Sequence, residues 1–97
     1  MIIILSPDQQ PTLTDIERLD RLHAECTGEL TEMATGDLCR FGDDHVWLDV
    51  AIARSLGEQS STDPEWPAKF DGMIGYAASK GWLDEAGTHV RAHVERV

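Results

Sequence analysis

Basic residues are scarce in this 97-residue chain: eight lysines and arginines stand against eighteen aspartates and glutamates, for a formal charge of −10. Binding in a nucleic-acid groove or on an anionic lipid surface needs a cationic face, so this composition argues against both. A DNA-binding helix-turn-helix at the end of the chain is disfavoured as well, because only Arg91 and Arg96 supply cations there. We therefore expect no direct contact with nucleic acid or with a membrane.

Long apolar runs and cysteine motifs are also absent. The apolar run Ile2–Leu5 has no basic residue ahead of it and is far shorter than the ~20 residues of a membrane span, so it is neither a signal peptide nor an anchor. We expect a cytoplasmic protein. Cys26 and Cys39 form no CxxC or Cys/His motif, which favours buried, reduced thiols.

Motifs of catalysis and of phosphate binding are missing. The chain contains no G-x-S-x-G sequence and no glycine loop of the G-x-G-x-x-G or P-loop type. Acidic pairs such as Asp43–Asp44 carry little information in a chain of this charge. We expect no cofactor and no metal ion, and a non-catalytic role is favoured over an enzymatic one.

The composition, 41% apolar and 27% charged, is typical of one globular domain, which we assign to residues 1–97. Residues 1–13 form an extended segment that leads into the first predicted helix, at roughly 15 to 34. Thr14 and Glu17 form a capping box at its start. Its apolar stripe recurs at three- and four-residue steps and consists of Ile16, Leu19, Leu22, Cys26, Leu30 and Met33.

The stretch from 37 to 57 allows two interpretations. Leu38–Phe41 and His45–Leu48 flank Gly42–Asp44 as hairpin strands flank a turn. The favoured alternative is a helix capped by Asp43 or Asp44 that ends at Gly57, because the apolar residues between 46 and 56 surround the helix as they do in a buried element. The predicted fold is therefore mainly α, a bundle of about four helices. An α+β fold with a short N-terminal strand and a hairpin at 38–50 is the alternative.

Two further helices are predicted in the second half of the chain. One extends from Pro67 to Ser79 and ends in a Schellman-type cap, with Gly81 left-handed and Trp82 folded back on the last turn. The last helix begins at Asp84 or Thr88. Its predicted apolar face consists of Ala86, Val90, Val94 and Val97.

The helix from Pro67 to Ser79 carries one face of small residues: Ala68, Gly72, Gly75 and Ser79. Two glycines inside a helix together cost about 2 kcal/mol relative to alanine, so a compensating contact is expected. Packing of this interaction face against another helix of the same chain is the simplest explanation. A protein partner or a second copy of the chain is the alternative.

Aromatic and histidine side chains provide a candidate pocket. His89 and His93 are four residues apart, as two ligands on one side of a helix are, with Glu85 one turn earlier. Without the glutamate of HExxH this is a weak motif, and no metal is assigned to it. The candidate pocket residues are Trp47, Tyr76, Trp82, His89 and His93.

Three functions follow from these features. The favoured one is a small acidic protein-interaction or regulatory module without catalytic activity, whose partner is a basic protein or a second copy of the chain. The second is a small-molecule-binding or catalytic subunit that uses the aromatic and histidine pocket, with a dimer interface as one place for it. The third is an acidic mimic of nucleic acid that acts as an inhibitor or antitoxin.

Overall fold

A computed structural model describes all residues from 1 to 97 as a six-stranded sheet with two helices. The strands are β1 (Ile2–Ile4), β2 (Thr12–Thr14), β3 (His23–Cys26), β4 (Cys39–Phe41), β5 (His45–Asp49) and β6 (His89–Arg96). The helices are α1 (Val50–Ser60) and α2 (Trp66–Ser79), and Leu30–Glu32 forms a single 3₁₀ turn. The prediction of a mainly α bundle is therefore wrong, and so is the description of the chain as helical.

The strands lie in the order β2-β1-β3-β6-β5-β4, with β1–β3 and β3–β6 parallel and the other pairs antiparallel. One hydrophobic core joins this sheet to the two helices. Along β6, Val90 and Ala92 are buried in that core while Arg91 and His93 are exposed on the opposite face. This alternation is the period of two that a strand requires.

The predicted last helix from Asp84 or Thr88 is thus wrong. Val90 and Val94 are four residues apart, a spacing that fits one face of a helix and also one side of a strand. The strand is selected because β6 pairs with β5 on one side and with β3 on the other, so that its backbone groups are bonded over most of its length.

The predicted first helix, from 15 to 34, is also wrong, and β3 with its flanking loops takes its place. Asp15 has a left-handed φ of 54°, and the Glu17 carboxylate accepts a hydrogen bond from the Ser61 hydroxyl at 2.7 Å instead of closing a capping box. Pairing with β1 and β6 outweighs the local helical pattern. Leu19 and Leu22 still pack against the core, but from irregular backbone.

The favoured helix from Asp43 or Asp44 to Gly57 is wrong in its first half and helical only from Val50 onward, because this stretch divides into two parts. β4 and β5 form a hairpin around 42–44, and α1 follows β5 directly. Asp49 caps α1, its carboxylate accepting the Ile52 amide at 3.0 Å. The N-terminal strand β1 does not join the hairpin, because β6 and β3 lie between them.

The helix predicted from Pro67 to Ser79 is present as α2, which begins one residue earlier, at Trp66. Its Schellman cap is confirmed: Gly81 has a φ of 76°, and the Trp82 amide donates to the Ala77 carbonyl at 3.0 Å. Neither helix has the length and apolarity needed to cross a membrane. The two cysteines are free and buried, as predicted.

Trp66 is the centre of the contact between the two helices. Its side chain is fully buried, stacks on Phe70 with ring centroids 5.0 Å apart, and donates its indole N–H to the Ile16 carbonyl at 2.9 Å. The indole lies directly against Gly57 of α1, where a Cβ atom would come within 2.0 Å of the ring. Gly57 therefore permits the close approach of α1 and α2.

Candidate functional site

The sheet is interrupted along one side of β6. The parallel ladder with β3 begins at Ala24 and Val94. Farther along β6, the Arg91 amide donates to the Trp82 carbonyl at 2.8 Å, and Leu83 forms an isolated bridge to β6. Between these two neighbours, β6 has no strand beside it from Arg91 to His93.

Two backbone groups of β6 point into this interruption. The Arg91 amide bonds to Trp82, and the His89 carbonyl accepts from the Asp84 amide at 2.9 Å, so the odd-numbered residues of β6 direct their backbone groups away from β5. By the same alternation, the Arg91 carbonyl and the His93 amide face the interruption. No backbone hydrogen bond from a neighbouring segment reaches either of them.

A pocket of about 780 Å³ occupies this opening, between α2, residues 19–22 and β6. This volume is within the range of small-molecule sites. Most of the lining is apolar and comes from all three elements: Leu19, Leu22, Met73, Ile74, Ala77 and Val90. Leu19 and Leu22 are held against the core, and the amino group of Met1 donates to the Arg21 carbonyl at 2.9 Å, which fixes this wall.

Two exposed aromatic side chains form the outer wall of the pocket. Tyr76 on α2 and Trp82 after its Schellman cap meet edge to face, with ring centroids 6.1 Å apart. They remain 59% and 39% exposed, respectively, and are among the few large apolar side chains of this chain that are not covered. An exposed aromatic pair offers large, rigid contact area to a flat apolar group.

The pocket also holds the arginines that have no ion pair. Arg18, Arg40, Arg54 and Arg96 each bond to a carboxylate. The remaining two, Arg21 and Arg91, pair with no carboxylate, and both line the pocket.

The one acid in the lining is already occupied. The Asp20 carboxylate accepts from the Arg18 guanidinium at 3.2 Å, and this hydrogen bond lowers the pKa of Asp20 below its ordinary value. The pocket lining of this strongly acidic chain therefore includes two arginines that have no carboxylate partner.

His93 links the pocket to a histidine row on the outer face of the sheet. Its ring stacks on His23 at 5.6 Å, lies opposite His45 in the ladder, and approaches the Glu95 carboxylate at 3.0 Å. His23 is buried and approaches Glu25 at 2.9 Å. No three or more potential ligands in the chain are arranged to hold a metal ion.

The structure brings together three of the five predicted pocket residues, Tyr76, Trp82 and His93. Trp47 lies on the outer face instead, edge to face with His45 at 5.3 Å. His89 lies between the carboxylates of Asp49 and Asp84, at 3.7 and 3.5 Å. The helical HxxxH arrangement of His89 with His93 is wrong, since on a strand they stand about 13 Å apart.

The predicted interaction face of α2 is open. Ala68, Gly72, Gly75 and Ser79 are all exposed, and a Cβ atom at either glycine would meet no atom within 4 Å. The expectation that the chain packs this face against another of its own helices is therefore wrong. Gly72 belongs both to this interaction face and to the pocket lining.

Sequence reasoning missed the apolar wall at residues 19–22, together with Met73, Arg21 and Arg91. The wall was assigned to a helical stripe. The arginines carry no motif, and their role depends on the absence of a carboxylate partner, which only the three-dimensional arrangement shows.

Comparisons with protein-family models, with curated proteins and with solved structures found no match for this chain. The basis for a function is therefore the pocket itself. Its apolar walls, its two unpaired arginines and the interrupted side of β6 lie in one opening.

Proposed function

We propose that this protein binds a small amphipathic molecule, with an apolar body and one acidic group, in the pocket beside β6. The observation that carries this proposal is the placement of Arg21 and Arg91. Acids outnumber bases by eighteen to eight in this chain, and yet these two arginines have no carboxylate partner. Both line the same, otherwise mainly apolar pocket.

The chemistry of the lining divides the ligand into two parts. Burial of apolar surface contributes roughly 25 cal/mol per Å², so the walls of leucine, methionine and isoleucine stabilise a hydrocarbon body. Tyr76 and Trp82 suit a flat ring in particular. The guanidinium groups offer planar, charge-assisted hydrogen bonds that a carboxylate or a phosphate accepts with two oxygens.

Tryptophan fluorescence tests this function, because Trp82 is part of the pocket wall. Titration with 3-phenylpropionate, indole-3-acetate and octanoate is expected to give a saturable change for at least one of them. The matched neutral amide of that acid is expected to bind roughly 10-fold to 100-fold more weakly, since a charge-assisted hydrogen bond contributes about 1.5–3 kcal/mol.

Matched variants locate the binding. Arg21→Gln and Arg91→Gln are expected to weaken the acid and leave the amide unchanged. Arg40→Gln is the control, because Arg40 is exposed and pairs with Asp84 outside the pocket lining. If no acid saturates the signal, or if acids and amides bind alike, the proposed function is wrong.

A protein-interaction function has one structural observation in its favour, the open small-residue face of α2. The charge of −10 favours a basic partner over a second copy, because two copies repel each other. Affinity capture from a cell extract is expected to yield a basic protein that Gly75→Gln no longer retains. Capture should also fall when salt is raised from about 50 to about 500 mM, which shortens the Debye length roughly threefold. If the Gly75→Gln variant captures as much of the basic protein as the unaltered protein does, the interaction function is wrong.

A further inference from the structure

The interruption in the sheet specifies the ligand more closely, and this inference rests on the proposed function. In the parallel ladder, Ala24 lies opposite Val94, so the position two residues back, that of Leu22, falls opposite Ala92. Leu22 makes no backbone hydrogen bond to β6 at that position. The Arg91 carbonyl and the His93 amide lie on either side of Ala92. The carbonyl thus accepts no backbone hydrogen bond, and the amide donates none.

These two groups match the backbone of a single residue. In a parallel ladder, one residue donates its N–H to the carbonyl before its partner and accepts with its C=O from the amide after its partner. A ligand residue opposite Ala92, running parallel to β6, would therefore bond to the Arg91 carbonyl and the His93 amide. An antiparallel segment would need two residues to form the same two bonds. The gap beside β6, between Trp82 and β3, has room for only one residue.

The neighbours on both sides fix the ends of that residue. Beyond its carbonyl, β3 already occupies the place beside β6, so the ligand chain ends there. A terminal carbonyl is a carboxylate, and Arg21 and Arg91 supply the counter-charge. Before its N–H, Trp82 occupies the place beside Arg91, so the group attached to the nitrogen turns out of the sheet.

The side chain of the ligand residue has a defined direction as well. Residues opposite each other in a ladder point to the same face of the sheet. Ala92 points into the core, and Val90, which points to the same face of β6, lines the pocket. The ligand side chain would enter the apolar space toward Met73, Ile74 and Ala77 of α2.

We propose that the pocket binds an N-acyl α-amino acid carboxylate with an apolar side chain. Its amide N–H donates to the Arg91 carbonyl, and its carboxylate accepts from the His93 amide and from an arginine. A free acylated amino acid and the C-terminal residue of a peptide share this chemistry.

Four probes that differ by one group each test the assignment. N-acetyl-L-phenylalanine is the reference, 3-phenylpropionate lacks the amide, N-acetyl-N-methyl-L-phenylalanine lacks the N–H, and N-acetyl-L-phenylalanine amide lacks the charge. Calorimetric titration of the full chain is expected to show at least 10-fold tighter binding of the reference than of the other three. Arg91→Gln should remove most of the difference between the reference and its amide, and Arg40→Gln should retain it.

Amide NMR signals give a readout that does not depend on affinity. Binding of the reference is expected to move the His93 amide proton downfield and to slow its exchange with water. The Ala92 amide faces β5 and should keep its exchange rate. A His93 signal that stays in place at saturation would overturn the proposed pairing.

The outcomes separate this inference from the proposed function. If 3-phenylpropionate binds as tightly as the reference, the amide pairing is wrong and binding of an amphipathic acid stands. If none of the acids binds, both are wrong. The tripeptide Ala-Ala-Phe with a free carboxylate distinguishes the sources: tighter binding than the reference supports a peptide C-terminus, and weaker binding supports a free acylated amino acid.

Discussion

Replacing Gly57 by alanine should unfold this protein at a markedly lower temperature. The added Cβ atom would lie 2.0 Å from Cη2 and 2.2 Å from Cζ2 of Trp66, well inside contact distance. The indole has little freedom to yield, because it is fully buried, stacks on Phe70 and donates its N–H to the Ile16 carbonyl. Either α1 and α2 separate or the ring gives up these contacts.

The magnitude follows from three opposing effects. Alanine is favoured over glycine in a helix interior by about 1 kcal/mol. Overpacking of a well-filled core costs typically 1–3 kcal/mol, and loss of the buried indole hydrogen bond costs a further 1–3 kcal/mol or so. The net destabilisation of Gly57→Ala is therefore about 3 kcal/mol, a large part of the roughly 5–15 kcal/mol that stabilises a domain.

The same substitution at Gly75 is the control. Gly75 lies in α2, is exposed, and has no atom within 4 Å of the place where a Cβ would stand. Only the helix preference remains there, so Gly75→Ala is expected to stabilise the fold by about 1 kcal/mol. Thermal unfolding followed by circular dichroism should show a Tm lower by roughly 10–20 °C for Gly57→Ala and higher by about 5 °C for Gly75→Ala. Shifts of the same sign in both variants would refute the packing of α1 on α2 described here.

Three further predictions concern a helix cap, a thiol and an ion pair. Asp49→Ala removes the cap of α1 and is expected to lower the unfolding free energy by about 1 kcal/mol in a urea titration. Asp49→Asn is expected to keep most of the stability that the cap contributes, and equal losses in the two variants would contradict the capping role. Burial raises the pKa of Cys39 to about 11, so in a variant that lacks the other cysteine this thiol should react with a disulfide reagent at pH 8 far more slowly in the folded chain than in urea. The hydrogen bond from Arg54 lowers the pKa of Asp71 below 3.8, so the pair stabilises the folded chain above that pH and the contribution is lost as the pH falls below it. Urea midpoints of Asp71→Asn should therefore decline less on acidification than those of the unaltered chain, and parallel declines would argue against it.

Local signals were sufficient for one element of this fold. α2 ends where a glycine that tolerates a left-handed φ precedes an apolar residue, and both Gly81 and Trp82 take their predicted places. β3 shows the opposite case. Cys26 of β3 fits a helical stripe with Leu22 and Leu30, and only pairing with β1 and β6, far away in the sequence, selects the extended backbone. Such long-range pairing leaves no trace in a window of neighbouring residues.

The candidate site divides in the same way. Tyr76 and Trp82 were identified because exposed aromatics around a helix end suit a pocket, and α2 itself was predicted. Trp47 and His89 were grouped with them by residue type alone, and the fold places both in other parts of the outer face. Arg21 and Arg91 differ from the other arginines only in lacking a partner, a property that depends on the completed fold.

The position of β6 in the sheet constrains how the chain is assembled during synthesis. β6 is the last strand along the chain, yet it lies between β3 and β5 in the interior of the sheet. Until β6 has emerged from the ribosome, the 88 residues before it hold two half-sheets with unprotected edges, which are prone to pair with other chains. Nascent chains of this protein should therefore depend on chaperones until β6 has emerged.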